Sequence, residues 1–229
     1  MKHQYFGDIN DYKKYGLLRK ILQAGNFQLL IGWMLTPDDN RTDGNLTQYL
    51  DNPNKWADYD PELFSALSGF LKGNGARKVD LIENSELLHH SSFFSEIVPD
   101  HAAERDQWFQ NLRKHAQASN FVFLDPDNGI EVKSKPYGKM ESSKFVFWRE
   151  IEALWADGKS LLIYQHFPRV KREVYIPGVI NQFHDRITSA SVRVFTTGNV
   201  MYLLALQPAH AGDLPAISQS LAPHWKSSE

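Results

Sequence analysis

The chain has 229 residues, of which 42% are apolar and 23% are charged, and its formal net charge is −2. This composition is that of a folded globular protein, so it excludes the disordered and fibrous classes, and the small negative charge argues against a general binder of polyanions. Because the sequence has no cysteine, disulfides, thiolate zinc sites and cysteine nucleophiles are excluded as well.

Helical and strand patterns alternate in the first half of the chain. Apolar residues between Tyr12 and Leu22 recur at helical spacing, with candidate N-caps at Asp8, Asn10 and Asp11 and a stop at Gly25. The apolar run that follows predicts a buried strand leading into a polar loop. In chain order, the predicted elements are a helix over residues 12–22, a strand over 27–35, an irregular loop over 36–44, a helix over 63–71, a short strand over 78–82 closed by Glu83, a helical or irregular segment over 85–94 and a helix over 108–118.

The second half of the chain continues this alternation and ends in a pair of strands. The predicted elements are a strand over residues 121–124, a basic, proline-containing loop over 132–143, a helix over 147–155, a strand over 160–167, a helix over 179–187 and strands over 191–195 and 200–206. Thr197-Gly198-Asn199 joins the last two strands by a hairpin-type turn. The order predicts an α/β fold, with three layers around a doubly wound, mostly parallel sheet and an antiparallel C-terminal hairpin.

We expect the chain to form one domain in the cytoplasm. A length of 229 residues lies near the upper end of one ordinary domain, here with an N-terminal helical extension over about residues 1–26. The first residues have no apolar run of the kind found in a secretory signal, and we expect no membrane span. The lack of cysteine fits a reducing compartment.

The acidic turn after the strand over residues 121–124 is the main candidate for chemistry. Pro126 and Gly129 force the chain to turn as it leaves the strand, and the carboxylates of Asp125 and Asp127 lie at that exit. Open α/β sheets bind ligands beyond the carboxyl ends of their strands, so these side chains are candidates for a site. The alternative is that Asp125 and Asn128 only make the hydrogen bonds of a turn.

A metal-dependent enzyme is one interpretation of the same residues. Asp125, Asp127 and Glu131 offer the oxygen ligands that Mg²⁺ or Mn²⁺ prefers, and we expect Lys133 and His166 to converge on the same edge of the sheet. The set favours a nuclease or phosphoesterase. Glu131-Val132-Lys133 is similar to the Glu-x-Lys half of the PD-(D/E)xK nuclease motif.

A second interpretation comes from a resemblance spread over nearly the whole chain. The opening residues 5–15, Tyr-Phe-Gly-Asp-Ile-Asn-Asp-Tyr-Lys-Lys-Tyr, look like the Gly-Asn-x-x-Asp-x-x-Lys-His segment of a known family, and Asp125-Pro126-Asp127-Asn128 stands where that family has Asp-Pro-Pro-Tyr. The order of elements also fits. The chain thus resembles the class I, S-adenosylmethionine-dependent methyltransferase fold, and within it the 23S rRNA adenine-N6 methyltransferases.

The resemblance implies S-adenosylmethionine-dependent N-methylation of a base in RNA or DNA. It assigns catalysis to Asp125, Pro126, Asp127 and Asn128, and cofactor binding to Glu83 at the end of the second strand and to Thr36, Asp38 and Gly44 after the first. Substrate contacts are expected from Tyr5, Lys13, Lys14, Lys133 and His166, with Tyr137 or Tyr164 supplying the stacking ring that Asn128 lacks. Because the loop over residues 36–44 has one glycine where the family has a glycine-rich turn, a third interpretation is a catalytically inactive member that acts as a binding module.

Overall fold

The computed structural model of the chain describes residues 1–39, 43–72 and 77–228. Within them the strands are β1 (Leu29–Gly32), β2 (Ser91–Phe94), β3 (Phe121–Leu124), β4 (Gly129–Ile130), β5 (Phe145–Val146), β6 (Ser160–His166), β7 (Ser191–Thr196), β8 (Val200–Leu206) and β9 (Lys226–Ser228). The helices are α1 (Ile9–Ala24), α2 (Pro53–Trp56), α3 (Pro61–Lys72), α4 (Asp80–Glu83), α5 (Ala102–His115), α6 (Trp148–Ala156), α7 (Arg172–Arg186) and α8 (Leu214–Leu221).

A central sheet contains seven of the described strands in the order β2-β1-β3-β6-β8-β7-β9. The first four of these are mutually parallel, with Leu29 opposite Phe121 and Phe121 opposite Ser160. Strand β8 runs antiparallel to both β6 and β7, and β9 runs antiparallel to β7. The chain passes from β1 to β2 on one side and then to β3 on the other side, so the strand order reverses between β1 and β3.

Helices cover both faces of the sheet because successive strand residues point to opposite sides. Phe121 and Phe123 of β3 pack in one apolar cluster with residues of α1, α3 and α8. Val122 and Leu124 pack in a second cluster with residues of α5, α6 and α7. Each of these fully buried side chains contributes roughly 1.5–3 kcal/mol to the free energy of unfolding. The fold is therefore α/β, with three layers and a mostly parallel sheet.

Most predicted elements are confirmed, with shifted ends. Helix α1 begins after Asp8, whose side chain accepts hydrogen bonds from the backbone N–H groups of Asn10 and Asp11, and it stops at Gly25. Strands β3 and β8 have the predicted bounds, and the antiparallel C-terminal pair is present. Helix α7 begins at Arg172 instead of residue 179 because Pro177 lies inside the helix and does not end it. Of the predicted loop over residues 36–44, residues 40–42 lie outside the described part of the chain.

The predicted strand over residues 78–82 is wrong. Asp80–Glu83 forms the short helix α4, in which the N–H of Glu83 donates to the carbonyl of Val79. Val79 and Ile82, three residues apart, are buried, while Asp80 between them is exposed. This spacing is helical, but the segment is too short for the sequence pattern to distinguish a helix from a strand. The second strand is instead β2, within the segment predicted as helical or irregular. Among the described strands, β2 lies at the edge of the sheet and pairs with β1 alone.

Candidate functional site

A cavity of about 350 Å³ lies at the carboxyl ends of β3 and β6, next to the reversal of strand order between β1 and β3. Crevices at such a reversal are where open α/β sheets bind ligands. The described residues that line the cavity are Met1, Tyr5, Asp8, Asn10, Asp11, Lys14, Asp43, Gly44, Leu46, Asp125, Pro126, Asp127, Asn128, Tyr164 and His166. All four residues of the acidic turn are therefore on its wall.

Hydrogen bonds to three neighbouring segments hold the backbone of the acidic turn, residues 125–128, in place. The N–H of Asp125 makes the last bond to β1, at the carbonyl of Gly32 (3.1 Å), and the N–H of Asn128 donates to the carbonyl of Lys144 (2.9 Å). Gly129 has φ +110°, and a Cβ there would collide with the side chain of Gln165. This buried glutamine accepts a bond from the N–H of Ile130 (2.8 Å) and donates to the carbonyl of Asn128 (3.2 Å).

Helix α1 supplies the opposite wall and a buried cation. Lys14 is 3% exposed, and its Nζ lies 2.6 Å from Asp125 Oδ2 and 2.8 Å from Asp11 Oδ1. Burial alone would lower the pKa of Lys14, but the two carboxylates raise it above its ordinary value, so the ammonium stays charged. Asp11 also accepts bonds from the hydroxyl of Tyr15 (3.0 Å) and the N–H of Gly7 (3.1 Å).

Asp8 lines the cavity beside this ion cluster. It is 5% exposed, and burial, together with the nearby Asp11 carboxylate, raises its pKa to about 7. Hydrogen bonds from the helix backbone and the charge of Lys14 act in the opposite direction. Asp8 therefore changes its charge near neutral pH.

The exits of β1 and β3 are joined through Asp127. Its Oδ1 lies 2.6 Å from the Met1 ammonium, and its Oδ2 accepts a bond from the hydroxyl of Thr36 (2.7 Å). Burial would raise the pKa of Asp127, but the ammonium and the hydroxyl outweigh burial and lower it. Two residues after β1, Met34, whose carbonyl accepts a bond from the Met1 ammonium (3.3 Å), has φ 49°, a left-handed conformation that costs a non-glycine residue roughly 1–2 kcal/mol. Such strain clusters at functional sites.

The rim of the cavity is held by an arginine that the sequence analysis did not single out. Arg77 donates to the carbonyl of Phe6, the carbonyl of Gly44 and the side chain of Asn45, each at 2.7 Å. It thus ties the segment before α1 to the loop that contains Gly44, while Tyr5 bonds Asp43 (2.8 Å). Since the partners of Arg77 lie more than 30 positions away in the sequence, no local pattern marks this residue.

Strand β6 completes the cavity with an aromatic ring and a histidine. Tyr164 lies opposite Tyr202 of β8, with ring centroids 5.6 Å apart, and burial raises its pKa. His166 is exposed at the end of the strand, and its Nδ1 lies 3.1 Å from the carbonyl of Phe167. Among the described residues on the wall, Tyr5 and Tyr164 supply the aromatic rings.

Several residues expected in the site lie elsewhere. Glu83 contacts the indole N–H of Trp33 (2.7 Å) and the hydroxyl of Ser95, near the carboxyl ends of β1 and β2 but off the cavity wall. Thr36 is not on the cavity wall itself but contacts two wall residues: its hydroxyl donates to Asp127 and its N–H donates to the carbonyl of Met1 (2.9 Å). Asp38 accepts a bond from the N–H of Gln4, and the Nζ of Lys13 lies over the ring of Trp56. Lys133 and Tyr137 line a separate depression beside α6 and α7.

The three proposed metal ligands do not converge. Asp125 is paired with Lys14, Asp127 is paired with the Met1 ammonium, and Glu131 lines the separate depression with Lys133. Within residues 1–39, 43–72 and 77–228, no group of three or more His, Asp or Glu side chains could hold a metal ion. The arrangement thus offers a polar cavity with a fixed internal cation and no three-ligand metal site in that part of the chain.

Comparison with known proteins leaves the site to be interpreted from its geometry. None of the helices formed by the described residues has the length and apolar character needed to cross a membrane. No protein-family model matches the chain, and no curated protein matches it either.

Proposed function

We propose that the chain is an S-adenosylmethionine-dependent methyltransferase that modifies an amino nitrogen of a base in nucleic acid. One observation is central to the proposal. The two segments on which the family resemblance rests are 111 positions apart at Lys14 and Asp125, yet these side chains meet at 2.6 Å on the wall of one cavity. The antiparallel pair of β7 and β8, in which β8 lies between β6 and β7, supports the same family.

The charge and size of the cavity suit the cofactor. Among the described residues, five aspartates line it, against two cations, Lys14 and the Met1 ammonium. S-adenosylmethionine carries a positive sulfonium and an ammonium against one carboxylate, so an acidic wall complements its net charge. A volume of about 350 Å³ lies within the range of small-molecule sites. We assign the cofactor to the wall that contains Asp8, Asp11 and Gly44.

The opposite wall suits the target base. When bound, S-adenosylmethionine supplies an electrophilic methyl group. Among the described residues no donor reaches Asp125 Oδ1, so this oxygen and the carbonyl of Pro126 are available to accept the N–H groups of the target amine and orient its lone pair. Lys14 holds the carboxylate in place, Tyr164 offers a ring for stacking, and the exposed Asn128 can bond the edge of the base.

Cofactor binding is tested by isothermal titration calorimetry at pH 8, where Asp8 is ionised. We expect wild-type protein to bind S-adenosylmethionine and Asp8→Asn to bind it about tenfold more weakly, since one negative charge is lost from the wall. Asp185→Asn, which removes an exposed carboxylate from α7, is the matched control and should bind as the wild type does. The cofactor assignment fails if the wild-type protein gives no heat with millimolar ligand.

Methyl transfer is tested with radiolabelled S-adenosylmethionine and single-stranded RNA or DNA. We expect incorporation by the wild-type protein and a loss of at least about 100-fold in Asp125→Asn, because the carboxylate that orients the amine is removed. Asn128→Ala, an exposed position outside the ion cluster, should retain the fold and lose less activity. Cofactor binding without transfer to any nucleic acid would support the inactive binding module instead.

A further inference from the structure

We infer that the segment from His166, at the end of β6, to Arg172, at the start of α7, binds the phosphate backbone of a nucleic-acid strand whose base enters the cavity; this segment, distinct from the loop over residues 132–143, is called the basic loop below. This inference rests on the proposed function and names the surface that holds the substrate. Its first residue, His166, is the last residue of β6 and lines the cavity. A strand bound along the loop therefore passes the mouth of the cavity.

The charge of the basic loop is not compensated. Arg169, Lys171 and Arg172 are exposed, and none of them forms an ion pair with a carboxylate of the described chain. Two lysines in and just after the loop over residues 132–143 differ, since Lys135 and Lys144 both pair with Glu141. In a protein with a net charge of −2, three unpaired cations on one short loop form a local attraction for polyanions.

The basic loop is also held in place before any ligand binds. The N–H of Phe167 donates to the carbonyl of Asn199, and Arg172 donates to the carbonyl of Gly198 in the turn between β7 and β8. The guanidinium of Arg172 lies over the Phe167 ring, 4.4 Å from its centroid. A cation fixed in this way loses less conformational entropy when it binds a phosphate.

Because the loop and the cavity have opposite charges, we expect the phosphate groups of a nucleotide to bind at the loop and its base to bind in the cavity. The aspartates of the cavity repel phosphate groups, whereas the basic loop attracts them. An uncharged base can enter the cavity without this repulsion and meet the ring of Tyr164. Val170 (52% exposed) and Val174 (65% exposed) add apolar surface beside the cations, which suits sugars or unstacked bases. A single strand or an extruded nucleotide fits this arrangement.

The test measures fluorescence anisotropy of labelled single strands of about 20 nucleotides, longer than most single-strand sites. RNA and DNA of one sequence are titrated with wild-type protein and with Arg169→Glu/Lys171→Glu. We expect at least a tenfold loss of affinity and a salt slope smaller by about 1.4, because each phosphate contact on a single strand contributes about 0.7. Lys78→Glu/Lys114→Glu reverses two exposed lysines elsewhere, changes the net charge equally and should bind as the wild type does.

Each outcome decides the inference. Equal losses in the two double variants would mean that only net charge matters, and unchanged affinity in Arg169→Glu/Lys171→Glu would place the strand elsewhere; both overturn it. Binding to phosphatidylserine vesicles without binding to either oligonucleotide overturns it in favour of a membrane surface. Calorimetry with S-adenosylmethionine on the same variants separates the two proposals: loop-dependent RNA binding without cofactor binding would reject the proposed function and leave the basic loop as a phosphate-binding surface for another purpose.

Discussion

Lys14 is the residue on which the geometry of the cavity depends most. Its ammonium lies between the buried carboxylates of Asp11 and Asp125. In Lys14→Met both carboxylates lose their shared cation inside the protein, and breaking a buried ion pair costs about 3–5 kcal/mol. We expect a fall of that size in the free energy of unfolding, measured by urea denaturation at pH 7.

The adjacent lysine provides the control for this prediction. Lys13 is half-buried, its pKa is lowered by burial, and it forms no ion pair with the described residues; its Nζ lies 5.5 Å from the centroid of the Trp56 ring. Lys13→Met should therefore change the free energy of unfolding by less than about 1 kcal/mol. If the two variants lose equal stability, the ion cluster is not what stabilises this region.

Asp8 makes the stability of the protein depend on pH. The native carboxyl holds its proton up to about pH 7, whereas the unfolded one loses it near 3.8, so stability falls as the pH rises between these values. At about 1.4 kcal/mol per pH unit over this interval, the full loss is roughly 4 to 5 kcal/mol. Asp8→Asn keeps an N-cap side chain and should be more stable than the wild type at pH 8 but not at pH 4.

Urea titrations at the two pH values check this prediction. Parallel pH profiles for Asp8→Asn and the wild type would contradict it, because they would assign the pH dependence to other groups. If Asp8→Asn also binds the cofactor more weakly, a gain in its free energy of unfolding would show that the Asp8 carboxylate favours cofactor binding and destabilises the fold.

At the residue scale, local patterns predicted the turn but not what holds it. Asp125, Pro126, Asp127 and Asn128 were identifiable because a buried apolar strand ends abruptly in acid and proline. Gln165 and Arg77 were not, since each is defined by backbone groups that the fold brings to it from distant positions. Residues that fix a site through long-range hydrogen bonds leave no periodic signal.

At the element scale, α5 and α6 are joined by a buried ion pair. Arg105 and Glu150 are each 1% exposed, with Nε–Oε1 2.8 Å and Nη2–Oε2 2.9 Å, and Glu150 also accepts the N–H of Phe147 at the start of α6 (3.0 Å). We expect Arg105→Met to lower the free energy of unfolding by about 3–5 kcal/mol, because Glu150 is left buried and charged.

A second substitution distinguishes the ion pair from simple packing. Arg105→Met/Glu150→Gln removes the uncompensated charge and keeps an acceptor for Phe147, so it should recover part of the loss and end within about 2 kcal/mol of the wild type. Both variants are measured by urea denaturation. A double variant less stable than the single one would contradict the electrostatic explanation.

The elements that sequence patterns missed were those defined by tertiary contacts. Helix α1 and strand β3 followed directly from apolar spacing and burial. Helix α5 begins six residues earlier than predicted, and the buried residue of its first turns is Arg105, which an apolar pattern does not count. Strand β2 is held by its register with β1, and its own residues indicated no strand.

At the scale of the whole molecule, residues from the helical layers on both faces of the sheet determine the geometry of the cavity. Helix α1 supplies Lys14 from one layer, while the turn after β3 is fixed through residues next to α6 in the other. The order of predicted elements was enough to place a site at the carboxyl edge. Of the aspartates on its wall, Asp125 and Asp127 were predicted there, whereas Asp8 and Asp11 were predicted only as helix caps, because they reach the wall when α1 packs over the turn.

This arrangement predicts that the protein unfolds as one domain. Leu18 of α1 and Leu154 of α6 are fully buried in the two apolar clusters on opposite faces of the sheet. Each change to alanine should cost about 2–5 kcal/mol and move the same transition, because both clusters share the strands between them. Tryptophan fluorescence and far-UV circular dichroism should report coincident midpoints in urea for both variants. Two separate transitions, with Leu18→Ala moving only one, would show that the layer containing α1 folds independently and that ligand binding at the cavity depends on how the two units dock.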